Sequence, residues 1–285
     1  MIPVMPDLIS VIITTYDRAD ALDLVLRSLS RQRDRRFEVL VADDGSDAET
    51  AAVVERWTSR LGVPLIHVWR PHQGFRIADI RNRATLKSRG DYCIFIDGDC
   101  LARPDFIAQH RRLAEPGWFV TGNRVLLSPA LTTRVLRESR TPETWSTGRW
   151  LGERSRGGVN RLSALLTLPL GVLRRLRKNA WQGARSCNLA IWRSDLDRVD
   201  GFDADYRGWG KEDSDIIARL FHAGVRRKDG IFATGVIHLW HPEAERSQLA
   251  RNEDKLADVL AGDRVRAVRG LSSLQGPSTT AARAT

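Results

Sequence analysis

Four short apolar runs in the first part of the chain constrain its fold more than any other feature. They are rich in β-branched residues, which is typical of strands buried on both faces of a sheet. The runs occupy residues 8–14, 37–42, 64–69 and 91–96. Helices are predicted between them at residues 21–29, 51–60 and 77–88. This alternation predicts an α/β protein with a mostly parallel sheet and crossover helices.

Three of the four predicted strands end in clusters of polar residues, at 15–18, 43–46 and 97–99. In open parallel sheets, ligands bind just beyond the carboxyl ends of the strands. The sequence therefore predicts a binding edge where these three clusters meet.

Asp97 and Asp99 flank Gly98 at the end of the fourth predicted strand. Two neighbouring carboxylates repel each other unless a cation lies between them, and glycine lets the chain turn and a ligand approach closely. Oxygen ligands of this kind suit Mg²⁺ or Mn²⁺ shared with a diphosphate. A solvated turn rich in Asp and Gly is the competing interpretation.

Asp43 and Asp44 follow the second predicted strand, and Tyr16 follows the first. One of these two carboxylates can accept a hydrogen bond from a base N–H or a ribose hydroxyl, and Tyr16 can stack on a nucleobase. A local turn held by aspartate and ordinary aromatic packing explain the same residues without a ligand.

Trp209 is followed by three acids, Glu212, Asp213 and Asp215, at the start of a predicted helix at residues 214–223. The indole offers an apolar platform for a sugar ring, and one of the acids can act as a general base towards a hydroxyl nucleophile. The alternative is that the acids are tolerated at a helix amino terminus, where Ser214 or Asp213 caps the helix.

His238 and His241 lie at the end of a strand predicted at residues 231–238. Neutral imidazole is a common ligand for ions of the Mn²⁺ class, so both rings are candidate metal ligands. Isolated histidines on the surface or in the core are the alternative. Further expectations are a strand at 181–193, a charged helix at 243–260 and a disordered tail at 272–285.

Composition excludes several classes of protein. Hydrophobic residues make up 42% and charged residues 28% of the chain, as in ordinary globular domains. There is no apolar run of about 18 residues, so no membrane span is expected, and the start lacks the pattern of a signal peptide. Three cysteines without metal-ligand spacing indicate a reducing compartment, so we expect a cytoplasmic protein.

The net charge is +10, and most of it lies in one stretch. Residues 131–185 contain twelve Arg or Lys and three Asp or Glu. Within this stretch, residues 162–178 are apolar first and basic last. Docking at the inner face of a membrane, or binding of a lipid-linked diphosphate, would use such a segment. The alternative is a solvated helix that packs by its leucines; no pattern favours a nucleic-acid partner.

Seven motifs together resemble the family 2 glycosyltransferases, which have the GT-A fold. They are 11–18, 41–46, 80–84, 95–99, 186–191, 201–205 and 208–215. The last three are similar to the carboxyl-terminal catalytic region of β-1,4-galactosyltransferases, found also in bacterial chondroitin-type polymerases. The resemblance implies a Rossmann-like, mostly parallel sheet with flanking helices in one catalytic domain.

The resemblance also implies a role for each matching residue. Thr14, Tyr16 and Asp44 match residues around the uridine, and Arg81 matches an arginine near the nucleotide. Asp97 and Asp99 match the Asp-x-Asp motif, with Asp99 as the direct metal ligand.

Other matches concern the acceptor side. Trp209 matches a tryptophan at the donor–acceptor boundary. Glu212 and Asp213 match an acidic pair, in which Asp213 is the expected base. His241 matches a metal-binding histidine, and His238 lies where the galactosyltransferases have a methionine. Lys211 replaces a glycine and Ser214 an acid, so the acceptor and the donor sugar stay open.

The resemblance implies an inverting, metal-dependent transfer of sugar from a nucleotide donor, UDP above all, to a hydroxyl of a glycan or lipid-linked acceptor. Synthesis of surface polysaccharide or lipopolysaccharide is the expected setting. The expected parts are a nucleotide-sugar-binding half at 1–125, a basic variable insert at 126–180, an acceptor-binding and catalytic half at 181–245, and a helix with a tail at 246–285.

Two alternatives are a sugar-nucleotide nucleotidyltransferase and a non-catalytic module that binds membrane or polysaccharide. The first usually has a glycine-rich phosphate loop after its first strand, and residues 15–19 contain no glycine. The retained acidic and histidine motifs count against the second.

Overall fold

The computed structural model describes residues 5–275 of the chain. Its strands are β1 Ile9–Thr15, β2 Phe37–Asp43, β3 Leu65–Trp69, β4 Tyr92–Asp97, β5 Cys100–Ala102, β6 Trp118–Thr121, β7 Arg124–Leu126, β8 Asn188–Trp192, β9 Arg226–Asp229 and β10 Val236–His238. Its α-helices are α1 Ala19–Ser30, α2 Ala48–Thr58, α3 Ile77–Lys87, α4 Phe106–Leu113, α5 Pro129–Arg137, α6 Thr147–Ser155, α7 Arg193–Val199, α8 Glu212–His222 and α9 Leu249–Ala261.

Seven of these strands form one sheet in the order β3-β2-β1-β4-β8-β6-β9. β1 pairs in parallel with β2 and β4, β2 with β3, and β6 with β9, whereas β8 runs antiparallel to both of its neighbours. A smaller sheet, β5-β10-β7, lies beside the end of β4. The predicted α/β fold with a mostly parallel sheet and flanking helices is confirmed.

The central strands β1, β2, β4 and β8 of the large sheet are buried on both faces. In β1, Ile9, Val11 and Ile13 pack into one apolar cluster with α1 and α2, while Ile12 packs into a second cluster on the opposite face. Because both faces are covered, these central strands are mostly apolar rather than alternating. The edge strands differ, since β3 is half-buried and β9 consists of charged residues. This is why β1, β2 and β4 can be predicted from their sequence.

Two later strands are shorter than predicted. Of residues 181–193, β8 forms the part from Asn188 to Trp192, and the residues before it make turns. Of residues 231–238, the part from Val236 to His238 is extended, because the chain turns at Phe232, whose φ is +57°. The helix predicted at 243–260 begins later, at Leu249.

The tail starts with an ordered turn rather than the expected disorder. Ser272–Leu274 form a 3₁₀ turn, and the Asp200 carboxylate accepts hydrogen bonds from the backbone N–H and the hydroxyl of Ser272. The remainder of the predicted disordered tail, residues 276–285, lies outside the described residues.

The basic segment at 162–178 is not the solvated helix that one interpretation predicted. Its regular parts are two 3₁₀ turns, Ser163–Leu165 and Gly171–Arg175. Leu173 and Leu176 point outward, with 54% and 78% of their surface exposed, so they do not pack on the core. Among the helices in residues 5–275, none has the length and apolarity that crossing a bilayer requires.

Candidate functional site

The polar ends of β1, β2 and β4 meet at one edge of the large sheet, as the sequence predicted. The pairing of β1 with β4 sets Thr14 opposite Asp97, and the pairing of β1 with β2 sets Thr15 opposite Asp43. The register of these strands therefore brings together clusters that are far apart in the sequence.

Gly98 is required by packing against β1. Its N–H donates to the carbonyl oxygen of Thr14 at 2.7 Å, and an added Cβ would lie 2.9 Å from Thr15 Oγ1. A side chain at this position would push the turn away from the sheet. The glycine thus lets the Asp97–Asp99 turn lie directly against the first strand.

Asp99 lies between two histidines. One of its oxygens is 3.5 Å from His238 Nε2 and the other is 3.4 Å from His241 Nε2. Burial raises the pKa of Asp99, and the nearby His238 opposes this effect. Burial also lowers the pKa of His238, which favours its neutral form.

The hydrogen bonding of His241 bears on which kind of ion Asp99 and the two histidines can bind. Its Nδ1 is 2.7 Å from the carbonyl oxygen of Pro242, which can only accept, so the neutral ring carries its proton on Nδ1. The Nε2 lone pair then faces a carboxylate oxygen of Asp99, a contact that is favourable when a proton or a metal ion lies between the two atoms. Neighbouring ligands of an octahedral ion with bonds of about 2.1 Å lie about 3 Å apart. The residues therefore fit a divalent ion.

Cys100 adds a thiol that the sequence analysis did not predict. Ligand atoms of Asp97, Asp99, Cys100 and His238 all lie within 4.8 Å of one another. Burial raises the pKa of the Cys100 thiol well above its usual value, so the group stays protonated and its Sγ lies 3.7 Å from Asp99 Oδ1 as a donor. His238 belongs to this tight group, whereas His241 approaches it from an exposed position.

Arg81 joins the two ends of the site. Its buried guanidinium lies 3.2 Å from Asp97 Oδ1 and 3.3 Å from Glu212 Oε1, and its Nε donates to Thr14 Oγ1 at 3.1 Å. Asp97 ends β4 and Glu212 begins α8. One side chain of α3 thus fixes the distance between the Asp-x-Asp turn and the acidic pair.

The acidic pair occupies the first turn of α8, where the helix dipole favours negative charge. Glu212 is buried and Asp213 is partly exposed. Burial and the neighbouring Asp213 raise the pKa of Glu212 to about 7, against the opposing effect of Arg81. Burial also raises the pKa of Asp213. Near neutral pH, the acidic pair therefore carries one proton during part of the time.

Trp209 lies on the irregular turn that leads into α8. Its ring is 39% exposed, and the guanidinium carbon of Arg246 is 5.0 Å from the ring centre. Lys211, the residue before the helix, has a φ of +76° and pairs with Glu253 at 3.0 Å. A left-handed backbone explains why the galactosyltransferase motif has glycine here.

On the opposite side of the edge, Asp44 already has protein partners. It accepts from Arg70 Nε at 2.7 Å and from the backbone N–H of Arg76 at 3.0 Å. Tyr16 is 45% exposed and stacks on His72 with ring centres 4.4 Å apart. Tyr16 therefore has the open aromatic face that a nucleobase needs, and Asp44 organises the neighbouring loop.

Comparison with known proteins shows the family to which the chain belongs. Residues 10–158 match the model of glycosyl transferase family 2. The chain belongs to this family. Residues 175–241 match a second model, described as the N-terminal domain of galactosyltransferase. The match favours glycosyl transfer over both alternatives considered above, and the suspected family is confirmed.

Two curated relatives show how far the similarity extends. The glycosyltransferase is 31% identical to validoxylamine A glucosyltransferase of Streptomyces hygroscopicus over 76% of its length and 52% of the relative. It is 27% identical to chondroitin synthase of Pasteurella multocida over 76% of its length and 23% of the relative. The chain thus spans about half of the first relative and about a quarter of the second.

Solved structures of low identity share the fold. A Pyrobaculum calidifontis mannosyltransferase in complex with GDP-Man and Mn²⁺ covers 82% of this glycosyltransferase, and 57% of that chain is covered, with a TM-score of 0.57 at 22% identity. The Staphylococcus aureus protein TarS in complex with UDP covers 90%, and 64% of that chain is covered, with a TM-score of 0.58 at 17% identity. The predicted GT-A fold is confirmed.

The site of the glycosyltransferase brings together most of the predicted residues. Asp97 and Glu212 both contact Arg81, and His238 and His241 both approach Asp99. Sequence analysis missed the backbone N–H of Arg76 and several further side chains of this region, namely those of Arg70, Cys100, Arg124 and Cys187. They stand in segments of ordinary composition, and no spacing pattern singles them out.

Proposed function

We propose that this glycosyltransferase is a metal-dependent, inverting enzyme that moves a sugar from a UDP-sugar to a hydroxyl of a glycan or lipid-linked acceptor. The observation that supports it most is the double contact of Arg81. One guanidinium lies within 3.3 Å of an oxygen of both Asp97 and Glu212, so the Asp-x-Asp turn and the acidic pair share one cleft. Sugar transfer requires the groups that bind the donor to lie close to the groups that activate the acceptor.

The donor binds along the ends of β1, β2 and β4. Tyr16 stacks on the base, Thr14 and Arg81 lie beside the diphosphate, and the Asp44 loop shapes the nucleoside site. The open ring face of Tyr16 and the fixed hydroxyl of Thr14 support these roles. UDP rather than GDP is our choice because the resemblance places Thr14, Tyr16 and Asp44 around uridine.

Asp99, His238 and His241 would hold the divalent ion, Mn²⁺ or Mg²⁺, together with the donor diphosphate. When bound, such an ion supplies positive charge that stabilises the departing diphosphate. Asp97 is not a direct ligand of the ion in this proposal and is held in place by Arg81. The two short Asp99–histidine distances and the proton position on His241 support this assignment.

Asp213 is the general base. Its carboxylate takes the proton of the acceptor hydroxyl while that oxygen attacks the anomeric carbon, and the electrons of the broken bond leave with the nucleotide diphosphate. A single displacement inverts the anomeric centre. Arg81 holds Glu212 next to Asp213, so the two carboxyl groups influence each other's protonation. Trp209 provides an apolar surface for a sugar ring.

The proposed division of labour follows the order of the chain. Residues 1–125 bind the nucleotide sugar, residues 181–245 bind the acceptor and carry the base, and the basic insert at 126–180 sets the acceptor and meets the membrane. We place the enzyme at the cytoplasmic face of a membrane, in synthesis of a surface polysaccharide or lipopolysaccharide. Two relatives named as polysaccharide synthases support this setting.

The test is nucleotide release from a panel of UDP- and GDP-sugars with Mn²⁺, Mg²⁺ or a chelator. We expect turnover with a UDP-sugar that a chelator abolishes. Asp99→Asn should lower kcat/KM by about 10³-fold, since several kcal/mol of charge stabilisation are lost. Asp254→Asn, an exposed carboxylate of α9, is the matched control. Mn²⁺-dependent turnover retained in Asp99→Asn would contradict the metal assignment.

A further inference from the structure

Residues 166–178 form an exposed apolar surface away from the cleft. Five large apolar side chains of this short segment are 41% to 78% exposed. They are Leu166, Leu168, Val172, Leu173 and Leu176. Scattered apolar residues on a surface need no explanation, but a contiguous group of this kind indicates an interaction surface.

This surface is held in a defined shape by a buried arginine. Arg174 is 3% exposed and donates to the carbonyl oxygens of Asp229 at 2.9 Å, Ile231 at 2.6 Å and Leu168 at 2.8 Å. The segment also covers the open edge of β9, where the N–H of Arg227 donates to the carbonyl of Lys178 at 3.0 Å. The fold therefore fixes the backbone while the leucines face outward.

The charged side chains of the segment itself are all positive. Residues 154–194 contain nine Arg or Lys and no Asp or Glu. Arg177 and Lys178 are exposed, and neither has an ion pair within residues 5–275. Arg175 pairs with Glu115 at 2.8 Å, so its charge is partly neutralised. Apolar side chains thus stand beside free positive charges.

We propose that residues 166–178 dock the protein on a bilayer surface that contains anionic lipid. The exposed leucines enter the boundary between head groups and acyl chains, and Arg177 and Lys178 contact anionic head groups. The docking surface is preformed around the 3₁₀ turn Gly171–Arg175, in contrast to an amphipathic helix that folds on the membrane.

Lipid fits this surface better than the other partners that a basic apolar segment can bind. Two backbone groups of the β9 edge, the N–H of Arg227 and the carbonyl of Asp229, already have partners in the basic segment, so the edge is poorly suited to the addition of a partner strand. A single-stranded nucleic acid would need exposed aromatic rings to stack its bases, and residues 166–178 contain none. Apolar side chains flanked by cations are complementary to an anionic bilayer.

The experiment is flotation of the full chain with vesicles of equal parts phosphatidylcholine and phosphatidylglycerol, and with vesicles of phosphatidylcholine alone. We expect binding to the first and little to the second, and weaker binding as salt screens the charges. The double variant Arg177→Gln, Lys178→Gln should bind about 30-fold more weakly at low salt, as the loss of two surface cations predicts.

A second variant separates the apolar contribution. Val172→Ser with Leu176→Ser should bind at least about tenfold more weakly at every salt concentration. The matched control is Leu151→Ser with Val268→Ser, which removes two apolar side chains that are 56% and 62% exposed elsewhere. Because all four side chains are exposed, the thermal unfolding midpoint of both variants should stay at that of the parent.

Several outcomes overturn the proposal. They are equal binding to neutral vesicles, equal loss in the control variant, and self-association in solution that Val172→Ser with Leu176→Ser abolishes while vesicles stay unbound. The last result would assign this face to a second copy of the chain. Vesicle binding is measured without donor or metal, so its result does not depend on whether the proposed transfer reaction occurs. Likewise, a failure to bind vesicles would not contradict the proposed transfer reaction.

Discussion

The two sides of the cleft differ in how they are built. On the proposed donor side, regular strands end in side chains that already have protein partners, such as Asp44 with Arg70 and Thr14 with Arg81. On the proposed acceptor side, the turn before α8 has left-handed residues and exposes Trp209. A preorganised donor side positions charge, whereas an open, irregular acceptor side can adapt to the partner it receives.

Loss of the proposed base should change activity more than any other substitution and should affect only one of the two sides. Asp213→Asn keeps the size of the side chain and removes its ability to take a proton, so kcat should fall by about 10²- to 10⁴-fold. Donor affinity, measured by titration of UDP-sugar with Mn²⁺, should change little, because the donor side stays intact. Ser214→Ala, at the neighbouring partly exposed position, is the control. Full activity in Asp213→Asn would remove this residue from the mechanism.

Arg81→Met tests whether the two sides depend on one another. It leaves Asp97 and Glu212 without their shared cation, and breaking a buried ion pair of this kind costs about 3–5 kcal/mol of stability. The free energy of unfolding, measured by denaturant titration, gives the cost. Arg83→Met, an exposed arginine on the same helix, is the control. A loss below about 1 kcal/mol would show that the two sides are fixed independently.

The pH dependence of stability should reveal the buried acid of the pair. The pKa of Glu212 is raised to about 7 in the fold, so the folded state binds its proton more tightly than the unfolded chain does. Its contribution is therefore full below the unfolded pKa and is lost as the pH rises through about 7, by roughly 3 kcal/mol.

Glu212→Gln should flatten this part of the stability curve, and Glu243→Gln, an exposed glutamate, should leave it unchanged. Denaturant unfolding at several pH values measures both. A curve for Glu212→Gln that keeps the parent slope between the two pKa values would assign the dependence to other groups.

The smallest effect concerns the backbone of the acceptor side. At an ordinary helix position glycine is less stable than alanine, but Lys211 has a φ of +76°, where a Cβ is strained. Lys211→Gly should therefore be more stable than Lys211→Ala by about 1 kcal/mol. Ala250→Gly, inside α9, should show the opposite sign. Thermal unfolding distinguishes the two, and the same order at both positions would mean that the left-handed turn relaxes without cost.

The sequence predicted the donor side more completely than the acceptor side for a physical reason. Strands buried on both faces are continuously apolar, and the Asp-x-Asp turn must follow one of them. The strands β5, β7 and β10 have three residues each, too few for a pattern to emerge. The partner of Asp44 could not be predicted either, since Arg70 lies 26 residues further along the chain.

Side-chain orientation in irregular segments was also beyond prediction. The leucines of residues 166–178 suggested a packed helix or a membrane surface with equal force, because spacing alone does not reveal which way a 3₁₀ turn faces. Cys100 looked like any buried thiol until the pairing of β5 with β10 placed it opposite His238. Such details depend on contacts between residues that are far apart in the sequence.

The bridging arginine of α3 has an evolutionary consequence. Because one guanidinium sets the spacing between the Asp-x-Asp turn and the acidic pair, that spacing can stay constant while other parts of the chain diverge. The long excursion between β7 and β8 does not pass through this contact. With the proposed division of labour, new acceptors would be acquired by changes in the excursion alone, and the proposed reaction centre would be inherited unchanged.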